Sequence, residues 1–351
     1  MQQFNVIGLM SGTSLDGLDL VFVRFKLDKY WRYDIIHSKT YKYKKKWNDL
    51  LQKISQKKID SIKKIDKEYT KLLSKYIKNF INEFSIIDVD FISSHGHTAI
   101  HNPAKSKTYQ IGNLPILAKY INLKVVCDFR VQDIKFGGQG APLVPVGEDY
   151  LFSEYDTFIN LGGFANITKR FKNNIIAYDI CPINIVFNYL SRLIRLEFDN
   201  KGYIASTGNL NKDLYYCLEQ LDYYKLNPPK SLGIEWVNDE IYPILERFLS
   251  IPTQDLMNTF SNHFASQISK NIENQEKIMI TGGGAYNDYL IENIKSLTKS
   301  NIYIPDPKII EYKEAMIFSF LGVLKILGIN NCYSSVTGAK IDHCSGKIYN
   351  P

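Results

Sequence analysis

Cysteine is scarce in this chain. The five present, Cys127, Cys181, Cys217, Cys332 and Cys344, are an odd number with no C-x-x-C pair. That excludes a disulfide-built scaffold and fits reduced thiols in a cytoplasm. No leader is visible, because residues 1–5 lead straight into an apolar strand with no charged start or cleavage site. No apolar run is long enough to span a bilayer. The longest, residues 315–329, is interrupted by Lys325 and reads as a buried helix. The helix-opening phosphate loop G-x-x-x-x-G-K-[ST] is missing. What remains is an ordinary soluble composition, 45% hydrophobic and 23% charged, over 351 residues. That length holds two domains and a large core.

The net charge is +7, much of it from the Lys-rich stretch 39–78. Within that stretch Leu50, Leu51, Ile54, Ile59, Ile62, Ile65, Tyr69, Leu72, Leu73, Tyr76 and Ile77 recur at helical spacing. It therefore reads as the solvated face of one or two amphipathic helices. A nucleic-acid patch is the competing reading, and nothing else in the chain supports it.

The most informative segment is residues 6–19, V-I-G-L-M-S-G-T-S-L-D-G-L-D. An apolar run, a turn of small residues and a second apolar run (18–25) read as strand, tight turn, strand. Such a turn offers backbone N–H groups and hydroxyls to an anionic phosphate. Asp16 and Asp19 add carboxylates able to hold a metal through water. A second hairpin comes about 150 residues later, F-I-N-L-G-G-F-A-N-I-T (158–168), suggesting two related halves. A third glycine turn, Gly282–Gly284, succeeds an apolar strand and leads into a helical stretch, 288–299.

Between the hairpins lies D-F-R-V-Q-D (128–133) and then G-G-Q-G-A-P (137–142). Glycines this dense do not sustain a helix or strand interior. This stretch reads as the loop joining two lobes, with the boundary near residue 130. Strand signals (89–93, 124–127) alternate with helical ones (184–196, 256–272), giving an α/β chain of two lobes and a cleft.

Several side chains invite chemistry. His95, His97 and His101 form H-x-H-x-x-x-H, but without the partner ligands of a zinc site. A polar pocket lined by histidine is the preferred reading. Asp179 comes at the end of an apolar strand and faces the crevice side of an α/β sheet. It is a candidate general base, or else the N-cap of a helix starting near Pro182. Cys181 has no adjacent base and is a poor nucleophile candidate. Arg130 suits a carboxylate or phosphate, and an interlobe salt bridge is the competing reading for Arg130 and Asp133. Glu314 reads by spacing as a helix-start carboxylate.

Taken in order, these motifs resemble the anhydro-N-acetylmuramic acid kinase family of the sugar kinase, Hsp70 and actin superfamily. The resemblance runs from Val6 to about Ile348. It rests on M-S-G-T-S-L-D-G, S-H-G-x-T, Q-I-G, D-F-R-x-x-D, G-G-Q-G-A-P-L, N-L-G-G-x-A-N, P-K-S-x-G, G-G-G and S-V-T-G-A. It implies a two-lobed actin-like ATPase fold, a duplicated ribonuclease H-like α/β unit with a central interlobe cleft. The first lobe would hold residues 1–130 and about 331–351, the second about 131–330.

It implies ATP- and Mg²⁺-dependent phosphorylation of 1,6-anhydro-N-acetylmuramic acid at O6. Water opens the anhydro ring in the same reaction, giving N-acetylmuramic acid 6-phosphate for murein recycling. Gly12, Thr13, Ser14, Leu15, Asp16, Gly17, Leu18 and Asp19 would hold the ATP phosphates, and Gly162, Gly163, Gly282, Gly283 and Gly284 would complete the nucleotide site. Asp179 matches the base that activates water. Arg130, Asp133, His95 and Asn184 are the expected sugar-binding residues, Asp16 and Glu314 the expected Mg²⁺ carboxylates. The expected setting is cytoplasmic, with no nucleic acid or membrane partner, and the resemblance suggests a homodimer.

One segment departs from the family pattern. Where D-T-G-P-G-N is common, this chain has Asp179-Ile180-Cys181-Pro182-Ile183-Asn184. Ile183 in place of glycine predicts a negative φ there. It also keeps open a kinase of the same fold acting on another sugar or acid. A non-catalytic ATP-binding switch is the remaining alternative, but the length leaves no room for a further partner-binding domain.

Overall fold

The computed structural model describes residues 2–12, 15, 17–171 and 174–351. It divides into two compact units, Met1–Ser153 with Tyr312–Pro351, and Glu154–Glu311. The strands are β1 (Gln2–Ser11), β2 (Leu18–Leu27), β3 (Trp31–Tyr41), β4 (Phe91–Asn102), β5 (Lys107–Ile111), β6 (Val125–Cys127), β7 (Thr157–Leu161), β8 (Phe164–Phe171), β9 (Asn174–Pro182), β10 (Lys277–Thr281), β11 (Asn301–Tyr303) and β12 (Lys347–Tyr349).

The first unit is a mixed sheet of order β12-β6-β4-β1-β2-β3, with β5 added to β4. β1, β2 and β3 form an antiparallel meander, while β4 and β6 run parallel to β1. The second unit repeats the scheme. β7, β8 and β9 form the meander, β10 runs parallel to β7 and β11 to β10, in the order β11-β10-β7-β8-β9. Two units with one strand order are the duplicated α/β architecture expected from the sequence.

β1 is central, which is why residues from Val6 to Ser11 are all buried rather than alternating. Gly8 in its middle lets the helix Pro307–Leu327 lie directly on the sheet. A Cβ at Gly8 would sit 2.5 Å from the Ala315 carbonyl oxygen. Ser93 on β4 donates its hydroxyl to the Phe318 carbonyl at 2.6 Å, pinning the same helix. The apolar run 315–329 is thus a buried helix as far as Leu327, where Gly328 with φ 71° ends it.

The Lys-rich stretch forms helices Lys45–Gln52 and Ile59–Glu83. Ile62, Asp66, Tyr69, Leu73, Ile77 and Phe80 make the inward stripe, at spacings of three and four. Lys39 instead lies on β3, a strand that the lysine-rich composition hides by running unbroken into the first helix. Among the described residues no helix is long and apolar enough to cross a membrane.

Two further expectations differ from the structure. The unit boundaries fall at 153/154 and 311/312, not near 130 and 330. The glycine-rich bridge stays within the first unit because Asp133 anchors it: Asp133 accepts hydrogen bonds from the Gly140 backbone and from Thr337 near the C-terminus. Glu314 does not start a helix, since Pro307–Leu327 begins seven residues earlier.

Candidate active site

In the first unit, the β1–β2 hairpin carries Gly12, Leu15, Gly17, Leu18 and Asp19. Thr13, Ser14 and Asp16 lie outside the described residues. Gly17 is required sterically, because a Cβ there would lie 2.7 Å from the Tyr41 carbonyl oxygen on β3. Leu15 takes a left-handed φ of 62°. Asp19 accepts a hydrogen bond from Thr40 at 2.6 Å.

Beneath the hairpin runs a buried polar chain that no sequence spacing signals. Ser11 Oγ lies 3.0 Å from His97 Nδ1 and 2.8 Å from the Tyr43 hydroxyl, which lies 2.6 Å from that of Tyr69. Burial lowers the His97 pKa to about 4 and raises that of Tyr69 to about 12. Neutral groups therefore form this chain around neutrality. It arises because β4 extends through all three histidines instead of ending before them.

His95 is buried, and Arg130 donates its Nε–H to His95 Nε2 at 2.9 Å. His95 Nδ1–H faces the Gly96 carbonyl at 2.9 Å, so the ring is the neutral Nδ1–H tautomer. Burial, and then the Arg130 charge, hold its pKa well below the usual histidine range. Arg130 also donates to the Gly140 carbonyl at 2.6 Å and stacks its guanidinium over Phe318 at 5.9 Å.

Glu314, on the same helix as Phe318, is exposed. Crowding by surrounding protein raises its carboxyl, against the pull of Lys313 and Arg130. It makes no hydrogen bond or ion pair among the described residues. It is a hard oxygen donor with solvent access, which fits a Mg²⁺ that keeps part of its water shell. Asp133, by contrast, is fully buried and structural. Among the described residues the hydrogen-bond partners of Arg130 and Asp133 lie within the first unit.

In the second unit two glycine turns and the Ile183–Asn184 segment meet at the end of β7. Gly162 and Gly163 turn β7 into β8. The Ile183 N–H donates to the Gly163 carbonyl at 2.8 Å, and Asn184 donates its side-chain amide to the Leu161 carbonyl at 3.1 Å. Gly282 has φ 84°, and a Cβ there would lie 2.5 Å from Asn160 Oδ1. Gly283 is open, with Asn184 Nδ2 as the nearest atom, 3.6 Å from a built Cβ. Beside it lies an open pocket of about 310 Å³ lined by Asn184, Phe187, Phe198, Lys201, Gly283 and Tyr286. Aromatic faces next to a glycine turn suit the base and phosphates of a nucleotide.

Asp179 sits on β9 at a bulge. Ala165 pairs with Cys181 but Asn166 pairs with Asp179, leaving Ile180 as the extra residue. The next helix, Asn184–Leu193, has Ile183 at its N-cap with no side-chain cap, so the N-cap reading of Asp179 fails. Instead Asp179 Oδ2 accepts the Leu232 N–H at 2.9 Å, and its carbonyl accepts the Tyr223 hydroxyl at 2.7 Å. The P-K-S-x-G segment thus fixes Asp179, a link that no spacing in the sequence revealed. Oδ1 makes no hydrogen bond among the described residues. Burial raises the carboxyl above its ordinary range, and the Leu232 N–H partly offsets this. Ile183 has the expected negative φ, −131°. Ile180, Cys181 and Ile183 are all buried in the core of this unit.

Two units of one strand order, each opening on a strand–turn–strand hairpin of small residues, define the duplicated α/β architecture of an actin-like ATPase fold. The chain belongs to the anhydro-N-acetylmuramic acid kinase family, whose model matches residues 4–351. A Clostridioides difficile (strain 630) relative named anhydro-N-acetylmuramic acid kinase is 33% identical over 97% of each chain. A Bacillus cereus (strain ATCC 10987) relative of the same name is 32% identical over 90% of this chain and 91% of its own. Among solved structures, the activator of the 2-hydroxyisocaproyl-CoA dehydratase from Clostridium difficile with bound ADPNP aligns with a TM-score of 0.47 and 14% identity. It covers 92% of this chain and 97% of its own.

Proposed function

We propose that this enzyme transfers the γ-phosphoryl group of ATP to O6 of 1,6-anhydro-N-acetylmuramic acid while water opens the anhydro ring. The product is N-acetylmuramic acid 6-phosphate, the reaction cytoplasmic and part of murein recycling. As the family resemblance implies, the enzyme works as a homodimer, with neither nucleic acid nor membrane as partner.

The observation that carries this reading is Asp179, one carboxylate oxygen anchored and the other available. Water attacks C1 and gives its proton to Asp179 Oδ1. The C1–O6 bond breaks with its electrons on O6, which attacks the γ-phosphorus as the bond to ADP cleaves. Asp179 then releases its proton to solvent. The chain's other tasks are alignment and charge stabilisation. The Gly12–Asp19 segment would hold the ATP phosphates, as the family resemblance implies. Gly162, Gly163 and Gly282–Gly284 leave room for the nucleotide, and Asn184 shapes the wall beside them. Arg130, held by His95, faces the lactyl carboxylate or the developing phosphate charge. Asp133 holds the Arg130 loop in place. Asp16 and Glu314 are the carboxylates that would hold Mg²⁺, which supplies neutralisation of phosphate charge when bound.

The test is incubation with ATP, Mg²⁺ and 1,6-anhydro-N-acetylmuramic acid in ¹⁸O water, read early by product mass. A 6-phosphate carrying one ¹⁸O is expected. ATP binding with no phosphorylated sugar would overturn the substrate. A phosphorylated product that keeps the anhydro ring would overturn the hydrolytic step.

A further inference from the structure

The histidines that suggested a metal in the sequence are engaged otherwise: His95 and His97 bond to Arg130 and Ser11. A different trio, distant in sequence, has the chemistry they lack. Asp133, Cys332 and His343 are all buried, and their ligand atoms lie within 4.8 Å of one another. Cys332 Sγ is 3.1 Å from Asp133 Oδ1, and His343 Nε2 is 3.7 Å from the same oxygen. Ligands at 2.0–2.3 Å from a tetrahedral ion stand roughly 3.5 Å apart, and the two separations that meet at Asp133 Oδ1 lie either side of that spacing.

The imidazole is prepared for the role. His343 Nδ1–H faces the Ile341 carbonyl at 3.0 Å, which leaves Nε2 as the bare nitrogen. That is the outer-shell arrangement that orients a metal-binding histidine. Nε2 is buried and has no hydrogen-bond partner among the described residues, an unfavourable state for a buried polar atom. Phe136 packs its ring edge-on to the imidazole at 4.9 Å and fixes it further. Asp133 is held by Thr337 Oγ1 at 2.7 Å and by the Gly140 N–H at 2.6 Å. Cys332 and His343 face each other across a backbone bridge.

We propose that Asp133, Cys332 and His343 form a structural binding site for a thiolate-accepting divalent cation, Zn²⁺ by its N/S/O donor set, with Thr337 Oγ1 or a water at the fourth position. Binding displaces the Cys332 thiol proton to solvent, while Asp133 and His343 bind as carboxylate and neutral imidazole. The ion ties the C-terminal segment to the loop whose Gly140 carbonyl receives Arg130. The site uses neither of the carboxylates expected for the Mg²⁺ that accompanies ATP.

The probe is Co²⁺ alone, titrated into the full, untagged, reduced chain. One equivalent should bring a near-ultraviolet sulfur-to-cobalt band with the visible bands of a tetrahedral ion, and Zn²⁺ should bleach both. Cys332→Ser should lose the sulfur band, and His343→Gln should weaken affinity by more than about 100-fold. Cys344→Ser should change neither. A flat near-ultraviolet spectrum in the unaltered chain overturns the proposal without depending on how any variant folds. So does a sulfur band that tracks Cys344.

Discussion

Arg130 donates its Nε–H to the unprotonated ring nitrogen of His95, Nε2, at 2.9 Å, while its Nη1 donates to the Gly140 carbonyl. A guanidinium held from two sides has few orientations left. Removing His95 should therefore act on substrate alignment. His95→Ala is expected to raise the KM for the sugar by about 10–100-fold, the size of a lost hydrogen bond to a charged group. His95→Gln, which can present an oxygen acceptor, should recover part of it. Steady-state kinetics on both variants checks this. An equal kcat loss in both with KM unchanged would remove His95 from the positioning role.

The buried histidines also set an acid limit on stability. His97 has its pKa lowered to about 4, and His95 lies well below its ordinary value. Between pH 6.5 and 4 the unfolded chain takes up protons at these sites that the folded chain does not. Stability is therefore complete above about pH 6.5 and falls as pH drops through this window. For His97 alone the loss by pH 4 is about 3 kcal/mol. Urea melts at pH 7.5, 6, 5 and 4 should show it. His97→Asn should flatten the slope by nearly one proton.

Asp179→Asn keeps the shape and an acceptor for the Leu232 N–H but cannot take a proton. ATP affinity should stay within about twofold while turnover falls by about 10²–10⁴-fold. Because burial raises the Asp179 carboxyl, the acid limb of kcat should lie above the usual carboxylate range, with activity lost as pH falls through it. Near-normal turnover in the variant would reject the base assignment.

The glycines of the third turn separate fold from function. Gly282→Ala forces a side chain into φ 84° with Cβ 2.5 Å from Asn160 Oδ1, and should cost about 2–4 kcal/mol. Gly283→Ala meets nothing nearer than 3.6 Å, so its Tm should be unchanged. If phosphate approaches this backbone, Gly283→Ala should still weaken ATP binding. Calorimetric titration of ATP alongside thermal melts distinguishes the two.

Much of this was legible in the sequence because it is local. The hairpin at 158–168 is β7 and β8, the helical stretch at 288–299 is Asp288–Ser296, and the apolar run at 315–329 is a buried helix as far as Leu327. What was not legible depends on contacts far apart in the chain. Leu232 anchors Asp179 across 53 positions, and Thr337 fixes Asp133 across 204. β4 runs on through His95 and His97 because β1 and β5 pair with it, which neither Gly96 nor the polar composition foretells.

The segment after Asp179 gives the sharpest contrast between pattern and packing. Ile180, Cys181 and Ile183 replace residues common in the family, and this could be read as a change in sugar preference. Yet all three side chains point into the core of the second unit. Ile183 has φ −131°, so glycine is not needed there. Ile183→Gly, which restores the family residue, should therefore remove packing rather than alter recognition. Expected are a destabilisation of about 3 kcal/mol by urea melt and a kcat/KM for the sugar within about threefold of the parent. A changed preference across a panel of anhydro sugars, with stability intact, would place this segment in the substrate contact instead.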